Sequence, residues 1–134
     1  MRSLSSLLAA GVVLAAAHAQ GEERTPSLRL LVQESPLVGY RYAAASEVWP
    51  LLRVGDPLEL SREPDNAHDP NAIRVEWRGC KLGYVPRREN AALAWGLERG
   101  EPLRARITRL EPHPNPARRV RFEVFVEEGI ALSV

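Results

Sequence analysis

The sequence predicts a mainly β fold with one to two helices, curled into a small six-stranded barrel. Three observations carry that expectation. Apolar and polar residues alternate at period two in several short runs, as in half-buried strands. One Ala-rich stretch, Glu89 to Arg99, carries helical spacing instead. All of this lies within 134 residues, 45% of them hydrophobic, which is enough for one modest core.

In chain order, Leu28 to Val32 and Val38 to Tyr42 read as a first extended segment interrupted near Ser35-Pro36. Ala44 to Trp49 reads as a short helical turn that Pro50 ends. Leu58 to Ser61 alternates directly after Gly55-Asp56-Pro57 and reads as a strand. Ala72 to Trp77 alternates cleanly, and Arg78-Gly79 turns it into Cys80 to Val85, the best hairpin in the chain. Glu89 to Arg99 places Leu93 and Leu97 four apart, with acidic Glu89 at the start and Gly100 past the end. Leu103 to Leu110 and Val120 to Val126 both alternate and flank the proline-spaced connection Glu111 to Pro116. Five or six strands with one inserted helix match an OB-like (oligosaccharide/oligonucleotide-binding) barrel.

The amino-terminal segment is set apart by composition. Arg2 precedes an apolar run from Leu4 to Ala17, followed by Ala17-His18-Ala19 and the polar Gly21 to Arg24. These are the parts of a signal peptide spanning 1–19 and cut after Ala19, with a run too short for a membrane span of about 20 residues. The expectation is a periplasmic or secreted protein with no membrane span once the peptide is cleaved. The rest divides into a leader and start of the first strand at 20–35, the domain proper at 36–126 and a tail at 127–134. Loss of Arg2 brings the formal charge from +1 to neutrality, so nucleic-acid binding would have to come from a local patch.

Composition also excludes function classes. Charge and hydropathy rule out a disordered tail. The single cysteine, Cys80, rules out a disulfide scaffold and a zinc ribbon or finger. Cys80 has no neighbouring histidine and reads as a small residue packed at a strand start, with an intermolecular disulfide as the competing reading. There is no P-loop and no Ser/His/Asp arrangement, so no catalytic residue and no cofactor are expected.

Three clusters carry the remaining chemistry. In Gly39-Tyr40-Arg41-Tyr42 the tyrosines share one strand face with Arg41 opposite. They either stack on bases while Arg41 meets phosphate, or fill the core. Glu63 to Ile73 is dense in Asp, Asn and Pro and reads as a turn built by side-chain to backbone bonds, with Asp69 and Asn71 tying it. Asp65, His68 and Asp69 are metal-ligand types, but the glycine and terminal glutamate of a calcium loop are missing. Leu82 to Arg88 runs through Pro86 to place Arg87 and Arg88 near a helix start, as an anion site or as solvated surface arginines.

Taken in order, Leu37 to Tyr42, Gly55 to Leu60, Arg62 to Ile73 and Gly83 to Arg87 resemble the motifs of the HIRAN domain. This module stands alone in bacteria and at the front of eukaryotic SWI/SNF-type DNA-repair helicases. The resemblance implies a modified OB barrel that captures the 3′-hydroxyl end of single-stranded DNA. It implies Arg41 on backbone phosphate, Tyr42 as the stacking aromatic, Asp69 on the terminal hydroxyl and Arg87 on a further phosphate. Ala43, His68 and Tyr84 depart from the eukaryotic pattern, which has a tyrosine, another aromatic and a histidine there. Stacking then falls to Tyr42, Tyr84 and His68. The expected partner is single-stranded DNA; the alternative is an exported barrel with a periplasmic protein or other non-DNA ligand.

Overall fold

The computed structural model describes residues 27–39 and 43–129. Contacts gather Arg29–Glu128 into one compact unit, and Met1–Leu28 with Gly129–Val134 into another. Of the second, only Ser27, Leu28 and Gly129, at strand ends, are described. The expected signal peptide, Arg41 and Tyr42 lie outside the described residues.

The elements are β1 (Ser27–Pro36), α1 (Ala43–Val48), β2 (Pro57–Arg62), β3 (Ile73–Trp77), β4 (Cys80–Tyr84), α2 (Ala91–Glu98), β5 (Leu103–Leu110) and β6 (Val120–Gly129). The strands form one sheet in the order β1-β6-β5-β2-β3-β4, and β2–β3, β2–β5, β3–β4 and β5–β6 pair antiparallel. Alternation decides which face is inside. Ile73, Val75 and Trp77 of β3 are buried while Arg74 and Glu76 point outward. Leu37, Leu82, Leu93, Ile107, Val120, Phe122 and Val124 are buried with them at the centre of the core.

Two register shifts bend the sheet. One falls between Val75 and Glu76 opposite β4, the other between Ile107 and Arg109 in β5. An unpaired residue at such points increases local twist and lets a sheet curl. The curl is barrel-like but stops short of a full barrel. Among the described residues the two edge strands share no ladder, and they are joined by the bridge Val38↔Tyr84 just after β1. Val38 N–H donates to the Tyr84 carbonyl at 3.0 Å, and Tyr84 N–H donates back at 2.8 Å. Leu37 N–H donates to Val120 O of β6 at 2.9 Å, so Leu37-Val38 spans both sides of the seam.

The mainly β fold class and strand count follow the sequence expectation, with local differences. β1 runs through Ser35 because that side chain, though buried, accepts a hydrogen bond from Gln33 Nε2 at 2.8 Å. Pro50 does not end α1 but sits in a 3-10 turn, Trp49–Leu51, where its missing N–H costs nothing. The hairpin turn has positive φ at both Arg78 (47°) and Gly79 (78°), the type I′ form that matches strand twist. Cys80 is the half-buried first residue of β4.

Candidate nucleic-acid interface

The loop between β2 and β3 is built by side chains taking over backbone duties. Asn66 Oδ1 accepts from the N–H groups of His68 (2.9 Å) and Asp69 (3.1 Å), and Asp69 Oδ1 accepts from Asn71 N–H at 2.9 Å. These are Asx-type bonds, which fix a turn without any ladder. The expected tie therefore holds for Asp69, but the amide that holds the loop is Asn66. Asn71 is exposed and contributes its backbone N–H.

Asp69 is anchored a second time from a distant element. Its Oδ2 accepts from Asn90 Nδ2 at 2.7 Å. Asn90 is 2% exposed and stands at the N-cap of α2, yet its side chain makes no cap bond. Its carbonyl does start the helix, accepting from Ala94 N–H at 2.8 Å. The amide has been diverted from capping to holding the carboxylate. Arg87 and Arg88 consequently precede α2 in a separate 3-10 turn, Arg87–Glu89, with Asn90 between them and the helix.

Tyr84 is held by its hydroxyl. It donates to Glu63 Oε1 at 2.9 Å and accepts from Lys81 Nζ at 2.7 Å. Lys81 Nζ also lies 4.4 Å from the ring centroid, an added cation–π contact. Burial opposes the charge on Glu63, but hydrogen bonds from Asn66 and Tyr84 and the charges of Lys81 and Arg74 outweigh it. Its carboxyl is held below the ordinary 4.5. The native state thus binds fewer protons at this group than the unfolded chain. The stabilisation is fully present above about pH 4.5 and is lost as pH falls through the depressed native value. In denaturation between pH 7 and 3, Glu63→Gln is expected to flatten the acid limb of the stability curve. Parallel curves for wild type and variant would contradict this role.

These elements bring His68, Asp69, Tyr84 and Arg87 into one cleft of about 270 Å³ beside Val38 and Asn66, with Ala72 and Val85 as apolar lining. Four of the six residues expected from the sequence are therefore neighbours; Arg41 and Tyr42 follow closely on Val38 but are not described. Arg87 is exposed and makes no ion pair among the described residues. Val38 and Arg87 also line an adjoining depression with Pro86 and Arg88. Sequence reasoning missed Asn90, Lys81 and Glu63, although Glu63 lay within a quoted motif. A larger groove of about 580 Å³ includes Arg29, Arg106 and Phe125 and shares no residue with the cleft. Of its three arginines, Arg29 and Arg106 pair with Glu127 and Glu123, while Arg104 is exposed and in no ion pair among the described residues. Among the described residues no group of three or more His, Cys, Asp or Glu is placed to hold a metal ion.

The HIRAN domain family model matches residues 30–128. The chain belongs to the HIRAN domain family. That family is one of nucleic-acid-binding modules. A Fanconi-associated nuclease 1 homolog from Oryza sativa subsp. japonica is 38% identical over 79 residues, covering 56% of this chain. The match spans only 8% of that relative. The crystal structure of a protein from Lactobacillus plantarum is similar at a TM-score of 0.65 and 28% identity, over 77% of this chain and 99% of that one. The crystal structure of the HIRAN domain of human HLTF is similar at a TM-score of 0.53 and 16% identity, over 78% of each chain. This second likeness is one of fold.

Proposed function

We propose that this HIRAN domain binds single-stranded DNA at a free 3′-hydroxyl end, by base stacking and phosphate contacts and without catalysis. The observation that carries the reading is the convergence of His68, Asp69, Tyr84 and Arg87 in one cleft. Each oxygen of Asp69 already accepts one bond, which fixes the carboxylate and leaves lone pairs for a terminal hydroxyl. A 3′-phosphate in the same place meets like charge. Tyr84 and His68 supply ring faces, which every base can stack on. Arg87 supplies an exposed guanidinium, in no ion pair among the described residues, for phosphate. Arg41 and Tyr42 lie three and four residues beyond Val38, within about 14 Å of it along even a fully extended chain.

The test compares oligonucleotides with free and phosphorylated 3′ ends. Asp69→Ala is expected to abolish the preference for the free end, and that ratio is insensitive to a modest general loss of binding. Arg87→Ala is expected to weaken both oligonucleotides alike and to lower the salt slope by about one. If Asp69→Ala leaves the preference intact, end capture by this carboxylate is wrong. The segment 1–19 supports export as part of the proposal, and a periplasmic protein partner is then the competing ligand.

A further inference from the structure

The exposed face of α2 carries an unusual residue. Trp95 is 66% exposed, the most exposed of the large hydrophobic side chains among the described residues. It lies opposite the buried Leu93, Ala94 and Gly96, on a face shared with the exposed Ala91, Ala92, Glu98 and Arg99. Small alanines beside a large indole leave its ring accessible. The Arg99 guanidinium lies over the ring, 5.0 Å from its centroid, so one face is occupied and ring surface remains for another group.

Two observations connect this face to the cleft. α2 begins at Asn90, whose amide holds Asp69. At 1.5 Å and about 100° per residue, Trp95 lies about 8 Å along the helix axis from that anchor and about 140° around it, on the solvent side. Arg88, exposed and without an ion pair among the described residues, lines the depression that shares Val38 and Arg87 with the cleft. Of the acidic groups on and beside α2, Glu98 pairs with Arg62 at 2.5 Å and Glu101 with Arg99, while Glu89 stands between Arg88 and the helix start. Arg87 and Arg88 thus stand beside the cleft on the segment that leads into α2, and an exposed aromatic ring stands on that helix. That is the pattern of a groove that tracks a single strand, cations for the backbone and a ring for a base.

We propose that the strand whose end occupies the cleft continues over α2, where Trp95 stacks on a base and Arg88 contacts a phosphate. The proposal rests on reading the cleft as a nucleic-acid site and extends it to residues with no part in capturing the end. It makes affinity depend on strand length, because a short oligonucleotide fills the cleft without reaching the helix.

The test uses the full chain with a trinucleotide and a dodecanucleotide of thymidylate, both with free 3′ ends, followed by anisotropy and tryptophan fluorescence. In the wild type, the dodecanucleotide is expected to bind more tightly and to quench fluorescence. Trp95→Ala is expected to weaken the dodecanucleotide about tenfold, to leave the trinucleotide within about twofold and to remove the quench. Trp95→Phe, which keeps a stacking ring, is expected to restore most of the length-dependent gain. Since the side chain is exposed, melting temperatures are expected to stay unchanged. Unchanged dodecanucleotide binding and quench in Trp95→Ala, with both oligonucleotides still bound, would overturn this inference and leave the cleft reading standing. Failure of the wild type to bind either oligonucleotide would overturn both.

Discussion

Gly83→Ala is expected to destabilise the domain by about 3 kcal/mol or more, a large part of the ~5–15 kcal/mol that holds a domain of this size. A Cβ built on Gly83 falls 2.2 Å from Val38 O and 3.2 Å from its carbonyl carbon. Both are backbone atoms, so no side chain can turn aside. The two strands must part, and parting breaks the reciprocal Val38–Tyr84 hydrogen bonds that join the sheet edges. Overpacking costs about 1–3 kcal/mol and each lost bond about 1 kcal/mol. Val38 and Tyr84 also line the cleft, so oligonucleotide binding is expected to fall with stability. Urea denaturation checks it, with Gly79→Asn as the control. Gly79 has φ +78° with nothing within 4 Å, a turn position that asparagine tolerates. Equal midpoints for the two variants would remove the close-approach argument.

Asn90→Ala is expected to cost about 2 kcal/mol and to abolish selectivity for a free 3′ end. Its amide makes a charge-assisted bond to Asp69 Oδ2, a class worth ~1.5–3 kcal/mol. Removing it frees the carboxylate to rotate out of the cleft. Asn90→Asp is the sharper version. It sets two carboxylates at hydrogen-bond distance, so at neutral pH the loss is expected to exceed that of alanine. As the pH is lowered and the two carboxylates come to share a proton, part of the stability is expected to return. If both variants keep wild-type stability and the pH profile is flat, Asn90 does not position Asp69.

Those two residues mark where the sequence was legible and where it was not. The β3–β4 hairpin was readable because its information is local: alternation on each side and Arg78-Gly79 between. The strands β2, β5 and β6 were readable for the same reason. The break near Ser35-Pro36 was readable, since β1 ends at Pro36, but that the strand runs past Val32 to a buried Ser35 was not. Gln33 lies only two residues away, yet nothing in the local pattern says that its amide will satisfy the buried Ser35. Asn90 gave the wrong local signal, since an asparagine at a helix start normally caps it. Its partner lies 21 residues away, as does the Glu63 partner of Tyr84. Gly83 was visible as part of a motif, but the Val38 carbonyl that demands it comes from across the seam. His68, Asp69, Tyr84 and Arg87 were named through the order of four motifs, and the structure brings these four along one cleft.

The most direct measurement is fluorescence anisotropy of this HIRAN domain with one short single-stranded DNA, its 3′ end either free or phosphorylated, at two salt concentrations. The account predicts tighter binding to the free end, weakening with salt as phosphate-bound counterions are released. Equal affinity for both ends would contradict Asp69 as the receptor of the terminal hydroxyl. No binding at low salt would contradict the central claim and mean that the domain holds a different ligand.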